Sequence, residues 1–200
     1  MRRLQVGTAA TTAVGEIASA DRHLVKLAGS KTVVAVVDGL GHGDAAVHAA
    51  LAAVGSLEAQ ATTELTAMVQ RTNEQLRSTR GVVLSIAIID LVGCRLSWVG
   101  VGNVAGVVVR GIGPAAGRRE SLLSSPGIVG TNLPVLHPSS LQFDVGDTLV
   151  FATDGVDEMF ENSVVPGMPV QRLAQHLLAA HGQQRDDCLV FVARLVEDAP

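Results

Sequence analysis

The chain has 200 residues, 48% of them apolar and 17% charged, with a formal net charge of −4. This fits a single domain over residues 1–200 with a substantial core, and excludes a disordered chain. Aromatic residues make up only 2%, which leaves few platforms for stacking bases. The acidic balance gives no complement to a phosphate backbone, so nucleic-acid binding is not expected.

In chain order, Met1-Arg2-Arg3 opens a stretch interrupted by Gln5, Gly7, Thr8, Thr11 and Thr12. It lacks the unbroken apolar segment of a secretory leader. No apolar run approaches the ~20 residues of a membrane span, so a cytoplasmic protein without a membrane partner is expected. Arg22–Leu27 and Thr32–Val37 read as a pair of strands, the second β-branched and buried. Asp44 reads as a helix N-cap, followed at helical spacing by Val47, Ala50, Leu51, Val54 and Leu57. A second helix is expected from near Thr62, with Leu65, Met68, Val69 and Leu76 on one face and Gly81 as its stop.

Three strands follow, Val82–Asp90, Cys94–Val101 and Val104–Arg110. Their short intervals favour antiparallel hairpins, with Gly100-Val101-Gly102-Asn103 as a hairpin turn. Residues 111–126 read as an exposed loop. Leu141–Asp144 and Thr148–Thr153 read as strands with a turn at Val145-Gly146. A helix is expected to start near Pro169 and to carry Val170, Leu173, Leu177 and Leu178; Cys188–Val196 is the last strand. The two cysteines, Cys94 and Cys188, sit far apart in apolar runs and read as buried thiols of a reducing compartment. The fold class is α+β, with antiparallel sheet and helices packed outside.

The residues that could carry chemistry are aspartates. Asp38 ends the run Val33–Val37 and precedes Gly39, and Asp154 ends Leu149–Thr153 and precedes Gly155. Asp186 and Asp187 stand before the last strand, and Asp21 stands before the strand leading to Asp38. A carboxylate at the end of a buried strand is unfavourable unless paired, hydrogen-bonded or bound to a metal. Oxygen ligands gathered from strand ends suit hard divalent cations such as Mg²⁺ and Mn²⁺. Glycine after each Asp would let the backbone turn sharply or offer its carbonyl as a ligand.

The loop Gly39-Leu40-Gly41-His42-Gly43 lies between a strand and a helix, where phosphate-binding loops occur. It lacks the Lys and Ser/Thr of a Walker loop, and Asp38 at its mouth would repel a bare phosphate unless a metal lay between. His42 is the one histidine inside this candidate site. Ser85, Ser97, Ser124 and Ser125 lie in no nucleophile elbow, so a triad hydrolase is not expected.

Asp38-Gly39-Leu40-Gly41-His42-Gly43, Thr153-Asp154-Gly155 and Asp186-Asp187, in this order, resemble the type 2C metal-dependent serine/threonine phosphatases. The resemblance is to the bacterial SpoIIE-like branch and, within it, to the short RsbX-like stressosome form. Gly81-Val82-Val83, residues 99–104 and Gly146-Asp147 fit the same pattern.

This resemblance implies an αββα sandwich with two antiparallel β-sheets flanked by α-helices, and two divalent metal ions, Mn²⁺ or Mg²⁺. It implies that Asp38 bridges both metals, that Asp21 and the Gly39 carbonyl hold one, and that Asp154 and Asp186 hold the other. Asp187, beside the last ligand, is a weaker candidate for the metal or its surroundings; strand neighbours point to opposite faces, so it is expected to bind backbone or solvent instead. His42 or a metal-bound water would protonate the leaving alkoxide.

The implied activity is hydrolysis of phosphoserine or phosphothreonine on a regulatory protein, with phosphorylated STAS-domain stressosome proteins as partners. A binding module of the same fold and a small-phosphoester hydrolase are the alternatives.

Several positions depart from the family pattern. Ala20 stands where Gly usually precedes the first Asp, Leu189 replaces the Thr after the final pair, and Leu40 replaces a His. The phosphate-docking Arg of eukaryotic members has no counterpart near Ile17. Gly15-Glu16 is a rival for the first acidic motif, but Asp21 stands at the better distance from Asp38.

Overall fold

The computed structural model describes residues 1–60, 62–111, 113–183 and 185–197. In chain order it contains β1 (Arg2–Thr11), β2 (Asp21–Ala28), β3 (Lys31–Gly39), α1 (Asp44–Ala59), α2 (Leu65–Gln75), β4 (Val82–Asp90), β5 (Arg95–Val101), β6 (Ala105–Val109) and β7 (Arg119–Ser121). It continues with β8 (Ser139–Gln142), β9 (Thr148–Ala152), a 3₁₀ turn (Glu158–Ser163), α3 (Val170–His181) and β10 (Cys188–Glu197). Two five-stranded antiparallel sheets form, in the orders β1-β10-β9-β6-β7 and β2-β3-β4-β5-β8. They stack face to face between helices, an αββα sandwich.

The continuous apolar runs follow from burial on both faces. Along β3, Val33, Ala35 and Val37 turn towards Ala49, Ala53 and Met68 of α1 and α2. Val34 and Val36 turn the other way, against Phe151 and Phe191 of the opposite sheet. Val107, Val150, Val190 and Val192 form the outer face of that sheet, under Val170, Leu173 and Leu177 of α3. With a helix layer outside each sheet, period-two alternation of polar and apolar residues has no place in the central strands. Each of these Val, Leu, Met and Phe side chains, fully buried, contributes about 1.5–3 kcal/mol, and each Ala less.

The structure departs from the sequence reading in several places. Arg2–Thr11 is a ten-residue edge strand. Helix α1 starts at Asp44 with Gly43 as its N-cap and no side-chain cap, so Asp44 lies in the first turn. Its buried stripe is Ala46, Ala49, Ala50, Ala53 and Leu57, while Leu51 is exposed, because small side chains let the helix lie close on β3. Helix α2 starts later, at Leu65, where the Glu64 carboxylate caps the N–H groups of Thr66 and Ala67. Finally, β5 and β6 belong to different sheets, as do β8 and β9, so the turns at Gly100–Asn103 and Val145-Gly146 carry the chain between layers. Within the expected loop 111–126, Arg119–Ser121 pairs with β6 as a short edge strand.

Both cysteines are buried and free. Among the described residues, no helix is long and apolar enough to cross a membrane.

Candidate metal and active site

The acidic residues gather at one end of the sandwich, where strand ends of the two sheets meet. Asp21 opens β2 and Asp38 stands one residue before the end of β3, and the two are direct cross-strand partners. Asp154 follows β9, and Asp186 and Asp187 precede β10, in the other sheet. Asp38, His42, Asp154 and Asp186 line one cleft of about 880 Å³. Asp21, only 4% exposed, sits behind its wall. Among the described residues, no three His, Cys, Asp or Glu side chains close into a tight metal-ligand set; the carboxylates flank the cleft instead.

Two glycines bring these strand ends together. A Cβ on Gly39 would collide with the carbonyl oxygen of Ala46, and a Cβ on Gly155 with that of Asp187. Neither glycine has a positive φ. The Asp-Gly steps therefore serve close backbone approach rather than the sharp turn expected from sequence. Gly39 seats the start of α1 against β3, and Gly155 seats the Asp154 loop against the Asp186-Asp187 loop.

Hydrogen bonds then fix the individual carboxylates. The Thr153 hydroxyl donates to Asp21 Oδ2 at 2.7 Å and accepts from the Leu189 N–H at 2.8 Å, tying the two sheets together. Asn103 Nδ2 donates to Asp154 Oδ2 at 2.7 Å. Asp187 turns away from the cleft: Oδ1 accepts from the Ala13 N–H at 2.8 Å and Oδ2 from the Ala20 N–H at 2.6 Å. Its carboxylate thus anchors the 12–20 loop. Asp186 lies exposed at the cleft, with Oδ1 accepting the Asp187 N–H at 2.8 Å. Asp147, inside a fitting motif, lies in another network, accepting from Arg110 and from the N–H groups of Gly111 and Asp144.

Electrostatics mark the cluster as under-neutralised. Burial, then the charges of Asp21, Asp154, Asp186 and Asp187, push the Asp38 carboxyl up to about 8. Burial also lifts Asp21 to about 7, against the Thr153 hydrogen bond and with the other aspartates adding to the rise. Asp154 is raised by burial and by Asp186 while Asn103 pulls it down. Shared negative charge on oxygen donors is the arrangement a hard divalent cation neutralises.

Two cleft residues carry more than the sequence reading gave them. Glu16, there a rival motif residue, lines the cleft and places Oε1 3.3 Å from His42 Nδ1. His42 is 87% exposed, and Glu16 is the carboxylate beside its ring. Asn103, read as part of a turn, holds a cleft carboxylate; its placement depends on β5 and β6 lying in different sheets, which local sequence does not reveal. Arg185 also lines the cleft, next to Asp186.

The family model for stage II sporulation protein E (SpoIIE) matches residues 28–198. A solved structure from work on the bacterial stressosome, as a modular system adapted to control secondary messenger signalling, is 30% identical with a TM-score of 0.83, covering 96% of this chain and 100% of that one. RsbX in complex with magnesium is 20% identical with a TM-score of 0.85, over 96% of this chain and 95% of its own. The PP2C phosphatase domain of SpoIIE from Bacillus subtilis, with a fragment of its regulatory domain, is 22% identical with a TM-score of 0.82, over 100% of this chain and 65% of that one. No curated protein sequence matches the chain.

Proposed function

We propose that this chain, which belongs to the SpoIIE family of PP2C-type phosphatases, is a metal-dependent serine/threonine protein phosphatase. The observation that carries this reading is the gathering of Asp21, Asp38, Asp154 and Asp186 around one cleft, with Asp21 and Asp38 raised to about 7 and 8. The donor set fits two hard divalent ions, Mn²⁺ or Mg²⁺. Asp21, Asp38, the Gly39 carbonyl, Asp154 and Asp186 would be the groups that hold them. Such a pair, when bound, activates water at neutral pH and screens phosphoryl charge.

The chain's own residues do the rest. Thr153 and Asn103 hold Asp21 and Asp154 in place through 2.7 Å hydrogen bonds. Asp187 fixes the loop that carries Glu16. Glu16 holds Nδ1 of His42, leaving Nε2 to deliver a proton to the departing serine or threonine oxygen. Among the described residues, no Ser, Thr or Cys lines the cleft, so a phosphoenzyme on a hydroxyl or thiol has no nucleophile there.

The substrate reading is a phosphorylated regulatory protein of the STAS-domain, stressosome type, met in the cytoplasm. Its support is the sequence resemblance to RsbX-like phosphatases and the 30% identity to a structure from stressosome work. The test uses metal-stripped protein, p-nitrophenyl phosphate and a phosphorylated STAS-domain protein beside unrelated phosphopeptides. Turnover of the first only after Mn²⁺ is added supports the enzyme, and preference for the STAS-domain protein supports the partner. Equal rates on all phosphopeptides would remove the partner and leave the enzyme.

A further inference from the structure

Among the described residues, strand β1 forms one edge of its sheet and pairs with β10 along its inner side only. Its outer edge is already engaged at one point. The Thr8 N–H donates to Gln171 Oε1 at 3.1 Å, and Gln171 Nε2 donates to the Thr8 carbonyl at 2.7 Å. The side-chain amide of α3 thus pairs with Thr8 as a neighbouring strand would. Outward-facing backbone groups recur every second residue, so Ala10 presents its N–H and C=O to the same side. Ala10, Thr11 and Thr12 are exposed.

Beside this edge lies a groove of about 690 Å³, walled by residues 8–11 of β1, by Thr12 after it, and by Gln171, Gln175, Leu178 and Ala179 of α3. Among the described residues, none that lines it is charged. Val14 lines both this groove and the carboxylate cleft. Between them, Ala13 is tied to Asp187, the neighbour of the cleft residue Asp186. At about 3.3 Å per residue, Ala10 lies roughly 10 Å along the chain from Ala13.

We propose that this groove binds the segment of the phosphoprotein substrate next to its phosphorylated residue, as an added strand on β1. The proposal rests on the phosphatase reading and names how that site takes a polypeptide. Recognition through backbone hydrogen bonds in an uncharged groove suits an extended segment of variable sequence. Every strand pair in both sheets is antiparallel, and β1 runs towards the cleft. An antiparallel guest runs away from it, so the residues C-terminal to the phosphoresidue occupy the groove. Gln171 closes the paired stretch at Thr8 and limits it to a few residues.

The test compares two fluorescent peptides of equal composition, one with phosphoserine followed by about eight residues and one with phosphoserine preceded by them, a length set by the strand rise. The first should show a kcat/KM roughly tenfold higher, as two or three added hydrogen bonds give. Ala10→Pro removes an outward N–H without touching the β10 ladder, and Ala179→Arg fills the groove from the helix side. Each should erase the preference while p-nitrophenyl phosphate turnover and the melting temperature stay unchanged. A reversed or absent preference, or one that survives both variants, overturns the proposal. So does a dimer dissociated by Ala10→Pro with peptide kinetics unaltered, which assigns the edge to a second copy of the chain. Failure to turn over p-nitrophenyl phosphate with Mn²⁺ would instead defeat the phosphatase reading. Fluorescence polarisation of the same peptides, which needs no turnover, still reads the groove in that case.

Discussion

Asp21 and Asp38 are direct cross-strand partners at the ends of β2 and β3. Opposed residues of an antiparallel pair project on the same face, where like charges are destabilising. Thr153 satisfies one oxygen of Asp21, and burial and the surrounding aspartates raise both carboxyls. The fold therefore keeps two carboxylates together at a place where only a proton or a cation relieves them.

Stability of the metal-free chain should fall as pH rises. Asp21 and Asp38 are lifted from 3.8 to about 7 and about 8. Across that interval the folded chain holds protons that the unfolded chain has released, so unfolding becomes more favourable with each step up in pH. The loss is absent below about 3.8, the unfolded value, and complete above about 8, the higher folded value. Thermal melts in chelator should show a lower midpoint at the alkaline end than at the acidic end. Mn²⁺ should raise the alkaline midpoint, and Asp38→Asn should flatten the profile.

The acidic pair before β10 should separate into two phenotypes. Asp186→Asn keeps an acceptor for the Asp187 N–H but removes a charge from the cleft, so Mn²⁺ affinity should fall roughly tenfold or more. At Asp187 both oxygens accept backbone N–H groups, and an Asn amide would turn an N–H donor against one of them. Asp187→Asn should therefore destabilise the chain by about 1–3 kcal/mol with metal affinity nearly retained. Calorimetric Mn²⁺ titration and denaturant unfolding of both variants check this; the opposite ranking of metal affinity contradicts it.

Gly155→Ala should loosen the site from its backbone. The new methyl collides with the Asp187 carbonyl, and the two loops must part to admit it. A loss of about 1–3 kcal/mol follows from overpacking, together with weaker metal binding, because Asp154 and Asp186 ride on those loops. Gly167→Ala, with open space around its Cβ position, is the control for glycine replacement, although its positive φ adds some strain. Urea midpoints of the two variants decide the matter, with Gly155→Ala expected to be the lower.

Leaving-group chemistry should separate Glu16 and His42 from the carboxylates. p-Nitrophenolate departs without a proton, whereas a serine alkoxide needs one. His42→Ala should slow phosphoserine-peptide hydrolysis roughly 10²-fold or more and p-nitrophenyl phosphate much less. Glu16→Gln, which weakens the 3.3 Å contact to Nδ1, should act in the same direction by less. Equal losses on both substrates would assign His42 to binding.

The sequence exposes the fold where burial is two-sided. Residues 82–90 read as a strand because every side chain but Asp90 is buried, and the aspartates stand out because they end such runs. The β1 strand was hidden by its place at the edge: only Gly7 is fully buried, against the start of α3, and its outer face is polar. The alanine stripe of α1 was masked by larger residues such as Leu51 that carry more hydropathy and point to solvent. At the site, the aspartates and His42 were legible from local pattern. The partners that position them were not, because Thr153, Asn103 and Glu16 reach Asp21, Asp154 and His42 across 132, 51 and 26 residues of chain respectively.

The central claim, that the gathered aspartates form a metal-dependent phosphatase site, is tested most directly by adding Mn²⁺ back to stripped protein. Hydrolysis of a phosphothreonine peptide is followed through the titration, beside Asp38→Asn. The account predicts no turnover in chelator, recovery with Mn²⁺ in the native chain, and none in Asp38→Asn at any concentration that saturates the native chain. Full turnover in chelator, or Asp38→Asn recovering like the native chain, would contradict it.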